Sequence, residues 1–142
     1  MAIDIDIDMD MAKVQERLAA MELRSKDFSP VLRRARERLE DANRNNFTSK
    51  GLPVGGWQRR RDDAAWPLMM RTGKLFHSLV NMSGPPNRIY KRVAVFGTQV
   101  EYAKFHQYGT TKMASRKIVF EPRLFGEQVS SDAVQYVSRG VF

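Results

Sequence analysis

VFGTQVEYAKFHQYG, running from Val95 to Gly109, changes its period midway, and that change decides the class of fold. Leading into it, Ile89, Lys91, Val93 and Val95 alternate with Tyr90, Arg92, Ala94 and Phe96, which predicts a strand that stops at Gly97 and lies at or near the centre of a sheet. Past Gly97, Tyr102, Ala103 and His106 stand at helical spacing within Glu101 to Tyr108, and Gly109 is placed to end that turn. A strand passing into a helix, with further helices gathered toward both ends of the chain, is expected of an α+β fold.

Working back from there, Ser83 to Asn87 (SGPPN) reads as a turn, and Thr72 is placed to cap a short helix through Leu75, Phe76, Leu79 and Val80, with Gly73 permitting close approach at its start. Residues 48–70 hold Gly51, Pro53, Gly55, Gly56, Pro67 and both tryptophans, a long turn-rich loop of the kind that carries function. Before it, Ser29 as N-cap and Pro30 at the first helical position open a helix with the stripe Leu32, Ala35, Leu39 and Ala42. Its other face mixes Arg33, Arg34, Arg36 and Arg38 with Glu37, Glu40 and Asp41 and reads as solvated; Asn43, Asn45 and Asn46 are expected to fray its end, and Phe47 to close it onto the core. Met11, Val14, Leu18 and Met21 predict an earlier helix ending near Arg24 to Asp27. Ile3, Ile5, Ile7 and Met9 alternate with Asp4, Asp6, Asp8 and Asp10 and predict an N-terminal edge strand whose like charges discourage stray pairing.

Toward the other end, residues 110–116 are polar and expected to be mobile, Ile118 to Phe120 to form a short strand stopped by Pro122, and Val129, Ala133, Tyr136 and Val137 to mark a closing helix. Residues 1–142 are therefore expected to form a single domain. Its architecture is a small antiparallel sheet with an N-terminal edge strand, two N-terminal helices packed on that sheet, long loops at 48–70 and 110–116, and a C-terminal helix.

At 142 residues such a domain can bury about 70% of its unfolded surface and so fold alone. The absence of cysteine excludes disulfide scaffolds, Cys-based zinc sites and thiol nucleophiles. Seven residues, Ala64 to Met70, make the longest apolar run, too short to cross a bilayer, and the start of the chain is acidic where a signal peptide is basic; a soluble protein made and kept in a cytoplasm, with no membrane partner, is expected. The net charge of +8 is unevenly spread: residues 1–12 carry four aspartates and no base, which leaves 24 bases and 12 acids on the rest. A body that basic points to an anionic partner, or to nothing beyond an arginine-rich solvated surface.

Arg59, Arg60 and Arg61 lie between Trp57 and Trp66, the composition of a surface that touches phosphates and stacks on bases. The preferred reading of the same residues is a loop pinned to the body by its tryptophans, with the arginines meeting Asp62, Asp63 or a neighbouring subunit. Catalytic signatures are missing. His77 and His106 have no metal-ligand spacing, there is no GxSxG elbow, and the glycines form neither a dinucleotide-binding nor a P-loop pattern, so no catalytic residue, metal site or cofactor is expected.

The order of these segments resembles the phage virion-morphogenesis family of minor tail and tail-completion proteins. Its pattern of a helix ending in Phe, a GxPxxxW loop, a TGxL segment, a strand ending in VGT and a YAxxHQxG helix corresponds here to Phe47; to Gly51, Pro53 and Trp57; to Thr72, Gly73 and Leu75; to Gly97 and Thr98; and to Tyr102, Ala103, His106, Gln107 and Gly109. Phe96 replaces a small apolar residue of the family pattern, and Phe120-Glu-Pro-Arg123 replaces its usual Pro-Ala-Arg-Pro. The resemblance implies a non-catalytic structural protein of the virion at the head–tail junction, present as a homo-oligomeric ring, a hexamer by expectation. It implies neck, tail-terminator or tail-tube proteins as neighbours and a passing contact with genomic DNA. Asp4, Asp6 and Asp8 are then candidates for the subunit interface, the motif residues for family contacts, and Arg59, Arg60 and Arg61 for a surface facing DNA or a partner. A small basic nucleic-acid-binding domain is the competing reading.

Overall fold

The computed structural model describes residues 10–62 and 64–142. Among them the order of elements is α1 (Met11–Ser25), α2 (Ser29–Thr48), a single 3₁₀ turn (Leu52–Val54), α3 (Lys74–Val80), β1 (Arg88–Ile89), β2 (Ala94–Val95), α4 (Ala103–Tyr108) and α5 (Phe125–Arg139).

The expected sheet is the main correction. The described residues hold one two-stranded antiparallel ribbon, mid-chain, with Arg88 opposite Val95 and Ile89 opposite Ala94. What the alternation suggested to be one strand from Ile89 to Phe96 is folded back on itself, because the Tyr90 N–H donates to the Val93 carbonyl at 2.7 Å and closes a tight turn. Alternation marks extended backbone but not its partner, and among the described residues no second sheet covers a face, so Tyr90, Val93 and Val95 stay exposed. The edge strand expected over residues 3–9 lies outside the described residues. Ile118 to Phe120, expected to be a short strand, forms none and bends at Val119: the Gln107 side chain stands in for a partner strand, accepting from the Ile118 and Val119 N–H groups (2.8 and 2.9 Å) and donating to the Val119 carbonyl (2.9 Å).

Of the first two helices, both expected to pack on the sheet, α2 alone meets the ribbon, and only at its start, where the Phe28 N–H donates to the Lys91 carbonyl at 2.7 Å. α1 packs on α5 and buries no residue, so its stripe of Met11, Val14 and Leu18 faces out. It is joined to α5 by Arg24, whose guanidinium donates to the carbonyls of Tyr136 and Val137 at the end of that helix, where the negative end of the helix dipole favours a cation. α2 starts at Ser29, and Asp27 rather than Ser29 accepts from the first N–H, at 2.8 Å. The helix does not fray at its asparagines. Asn43 is buried and donates to the Leu79 carbonyl (2.9 Å), while Asn46, fully buried, donates to the Lys117 carbonyl (3.1 Å). Each such bond contributes about 1 kcal/mol net, and losing one partner would strand a buried polar group at greater cost. The charged face of α2 is likewise only partly solvated. Arg34 and Arg38 clamp the buried Asp132 of α5, and Arg36 lies 3.7 Å from Glu40, whose carboxylate also accepts from the Met82 N–H.

The apolar core gathers Phe47 from α2, Trp57 from the following loop, Leu75 and Leu79 from α3, then Met82, Val100, Ala103 and Ile118. The Phe47 ring meets Trp57 edge-on at 5.3 Å and Phe76 at 5.4 Å, the arrangement favoured by aromatic quadrupoles.

Candidate functional site

The GxPxxxW loop closes onto the core instead of standing off it. Gly51 has φ +82°, and a Cβ there would come within 2.2 Å of the Trp57 indole, so only glycine lets the tryptophan lie over the turn. The indole N–H donates to the Lys117 carbonyl at 2.9 Å, the same carbonyl that Asn46 reaches. Trp57 is thus buried and pins its loop.

The YAxxHQxG helix holds the segment that follows it. Besides the Gln107 bonds, the Arg116 N–H donates to the His106 carbonyl (2.6 Å) and the Ser115 hydroxyl to the Gln107 carbonyl (2.8 Å). Gly109, at φ +77°, would bring a Cβ to 2.8 Å from the Ser115 nitrogen. Residues 110–116, expected to be polar and mobile, carry a bridge between Thr110 and Met113 and end in a buried Arg116.

Between this helix and the loop before α3 opens a cleft of about 660 Å³, lined by Arg60, Trp66, Arg71, Tyr102, His106 and Arg116 among others. Trp66 is 42% exposed, and the guanidinium carbons of Arg60 and Arg71 lie 5.7 and 5.3 Å from its ring centroid. Arg60 stands 3.6 Å from Asp62, and Arg116 donates to the Gln58 carbonyl at 3.1 Å. His106 meets Tyr102 edge-on at 5.9 Å; its Nδ1 is buried and has no partner among the described residues. Burial first, and the Arg116 cation second, hold the His106 pKa below its ordinary value, which favours the neutral imidazole.

The motif residues divide into two groups. Thr72, Tyr102 and His106 line the cleft together with Arg60. Trp57, Leu75 and Ala103 are core, Gln107 and Gly109 secure residues 115–119, Gly73 starts α3 at φ +70°, Gly97 donates to the Asn87 side chain (2.8 Å), and the Thr98 and Ser78 hydroxyls lie 2.7 Å apart. Arg59 and Arg60 line a second groove beside the first, with Lys50, Trp57 and Trp66, and Arg61 is exposed. Asp4, Asp6, Asp8 and Asp63 lie outside the described residues. Sequence reasoning missed Arg71, Arg116 and Asp132; Arg71 sits directly before the TGxL segment, but no local pattern separates a buried Arg116 from a solvated one.

A cleft that joins arginines, an exposed indole and a neutral histidine can take a carboxylate or phosphate beside an apolar group. The described residues hold no cluster of three or more metal-ligating side chains, and the Ser78 hydroxyl is engaged by the Leu75 carbonyl and Thr98, not by His77. No helix among them is long and apolar enough to cross a membrane. The model of the phage virion morphogenesis family matches residues 9–141. No curated protein and no solved structure matches the chain.

Proposed function

Because this chain belongs to the phage virion morphogenesis family, a family of non-catalytic structural proteins that work with other components of phage tail assembly, we propose that it acts at the head–tail junction. There it forms a homo-oligomeric ring that completes the tail and meets neck, tail-terminator or tail-tube proteins. The observation that carries this reading is α1. Its apolar residues Met11 and Leu18, 55% and 59% exposed, lie on a helix that buries none of its fifteen residues, and Leu23 near its end is 71% exposed. An apolar helical face is stable in water only at a cost, and a neighbouring subunit that covers it removes that cost. The cationic cleft and the four aspartates before α1 add unlike charges on one chain, as a head-to-tail contact around an axis requires.

The test has two parts. Native mass spectrometry of the purified protein, alone and with tail partners, is expected to show a discrete ring, and a density map of the intact particle is expected to show that ring in the neck. A chain that stays monomeric with its partners, or is missing from mature particles, overturns the proposal. The nucleic-acid reading is less well supported: Trp57 is buried, and of the two tryptophans only Trp66 offers an exposed ring, already engaged by two guanidiniums.

A further inference from the structure

Two groups in the cleft lack the partners their burial calls for. Arg116 is 8% exposed, and among the described residues it has no carboxylate partner; Arg60–Asp62 is the one ion pair described in the cleft. A cation withdrawn from water is destabilising until an anion meets it, and Arg60 nearby adds repulsion of the same sign. Burial and then Arg60 hold the Arg116 guanidinium below its ordinary pKa, as such a surplus requires. The buried Nδ1 of His106 opens no bond either. Around these groups the lining is apolar, with Leu68, Met69 and Met113. The complementary ligand is therefore a run of carboxylates interleaved with aliphatic side chains, and a nucleic acid strand has no such aliphatic groups.

This chain carries that run in residues 3–9, Ile-Asp-Ile-Asp-Ile-Asp-Met. In an extended backbone the three aspartates would fall on one side, roughly 6.6 Å apart, with the isoleucines on the other. α1, whose start the segment precedes, packs on α5, whereas the cleft is built by α4 and the loop before α3. We infer that the cleft is the receptor for residues 3–9 of a second copy, with Asp4, Asp6 and Asp8 meeting Arg60, Arg71 and Arg116 and the isoleucines lying on Trp66, Leu68 and Met69. The inference rests on the ring reading and names one of its joints.

The experiment titrates a fluorescent peptide of residues 1–9 onto the full-length chain, diluted until mass photometry shows monomers, and follows anisotropy. Saturable binding is expected, weakened about tenfold or more by Arg71→Glu, largely kept by Arg71→Lys, and not competed by a peptide with Asp4, Asp6 and Asp8 replaced by Asn. Arg71 is exposed, so its variants are expected to keep the fold, which circular dichroism checks. Absence of binding, equal binding by Arg71→Glu, or displacement by a short single-stranded DNA at lower concentration than by unlabelled peptide overturns the inference. If the peptide fails while native mass spectrometry still shows a ring, this joint is wrong and the ring stands. If the peptide binds but no ring forms even with tail partners, the ring reading falls.

Discussion

Gly51 shows how a single residue can fix the course of a long loop. With φ at +82° and the Trp57 indole lying where a Cβ would be, Gly51→Ala combines backbone strain with a clash. It is expected to lower stability by about 2 to 4 kcal/mol in urea denaturation, while Gly55→Ala, which meets nothing within 4 Å, costs only the backbone strain. His106 sets a pH dependence. Its pKa is lowered from 6.5 in the folded chain, so its share of stability is full above about pH 6.5 and is lost as the pH falls below that, where the unfolded chain takes up a proton the folded one resists. Denaturation midpoints are expected to fall on going from pH 7 to pH 5.5 in the natural sequence and to fall less in His106→Phe; equal slopes would reject this role. Asp10, Glu22 and Asp27, held below their ordinary values chiefly by hydrogen bonds to Lys13, Lys26 and Ser29, act only at more acid pH.

Among the elements, α5 is held on one side by the α2 arginines and at its end by Arg24 of α1. Asp132→Ala leaves Arg34 and Arg38 facing an empty site, and because both keep some access to water the expected loss is about 3 kcal/mol, the low end for a broken buried pair, measurable by thermal or chemical denaturation. The helices were legible in the sequence because their signals are local: the Pro30 start, the Gly109 stop and the 3 and 4 spacing fall where α2, α4 and α5 are observed, although of the buried residues, Val31, Ala35, Asn43, Asn46 and Phe47 in α2 and Asp132 in α5, only Ala35 belongs to the predicted stripes. The sheet was not, since alternation over Ile89–Phe96 is equally satisfied by one long strand and by a tight ribbon. Nor could sequence alone show that Asn43, Asn46 and Gln107 spend their amides on distant backbone, because such bonds link residues up to 71 positions apart. The resemblance to a phage family was legible in its motif residues, yet only Thr72, Tyr102 and His106 among them line the cleft with Arg60.

For the whole molecule, the proposed ring would set the balance between folding and assembly along α1. Since Leu18 is 59% exposed, Leu18→Asp is expected to leave monomer stability within about 0.5 kcal/mol and to abolish or strongly reduce ring formation in mass photometry. A large drop in stability with rings intact would mean that the stripe serves the subunit itself. Long reach also governs how the polypeptide comes to be compact. The Lys117 carbonyl accepts from Asn46 and Trp57, 71 and 60 positions upstream, and Ile118 beside it is wholly enclosed. During synthesis the amino-terminal two thirds therefore leaves the ribosome with its centre still open, and closes only when the last quarter arrives. Messages truncated ahead of that point should yield fragments that proteases clear, whereas the chain that includes Lys117 and Ile118 persists.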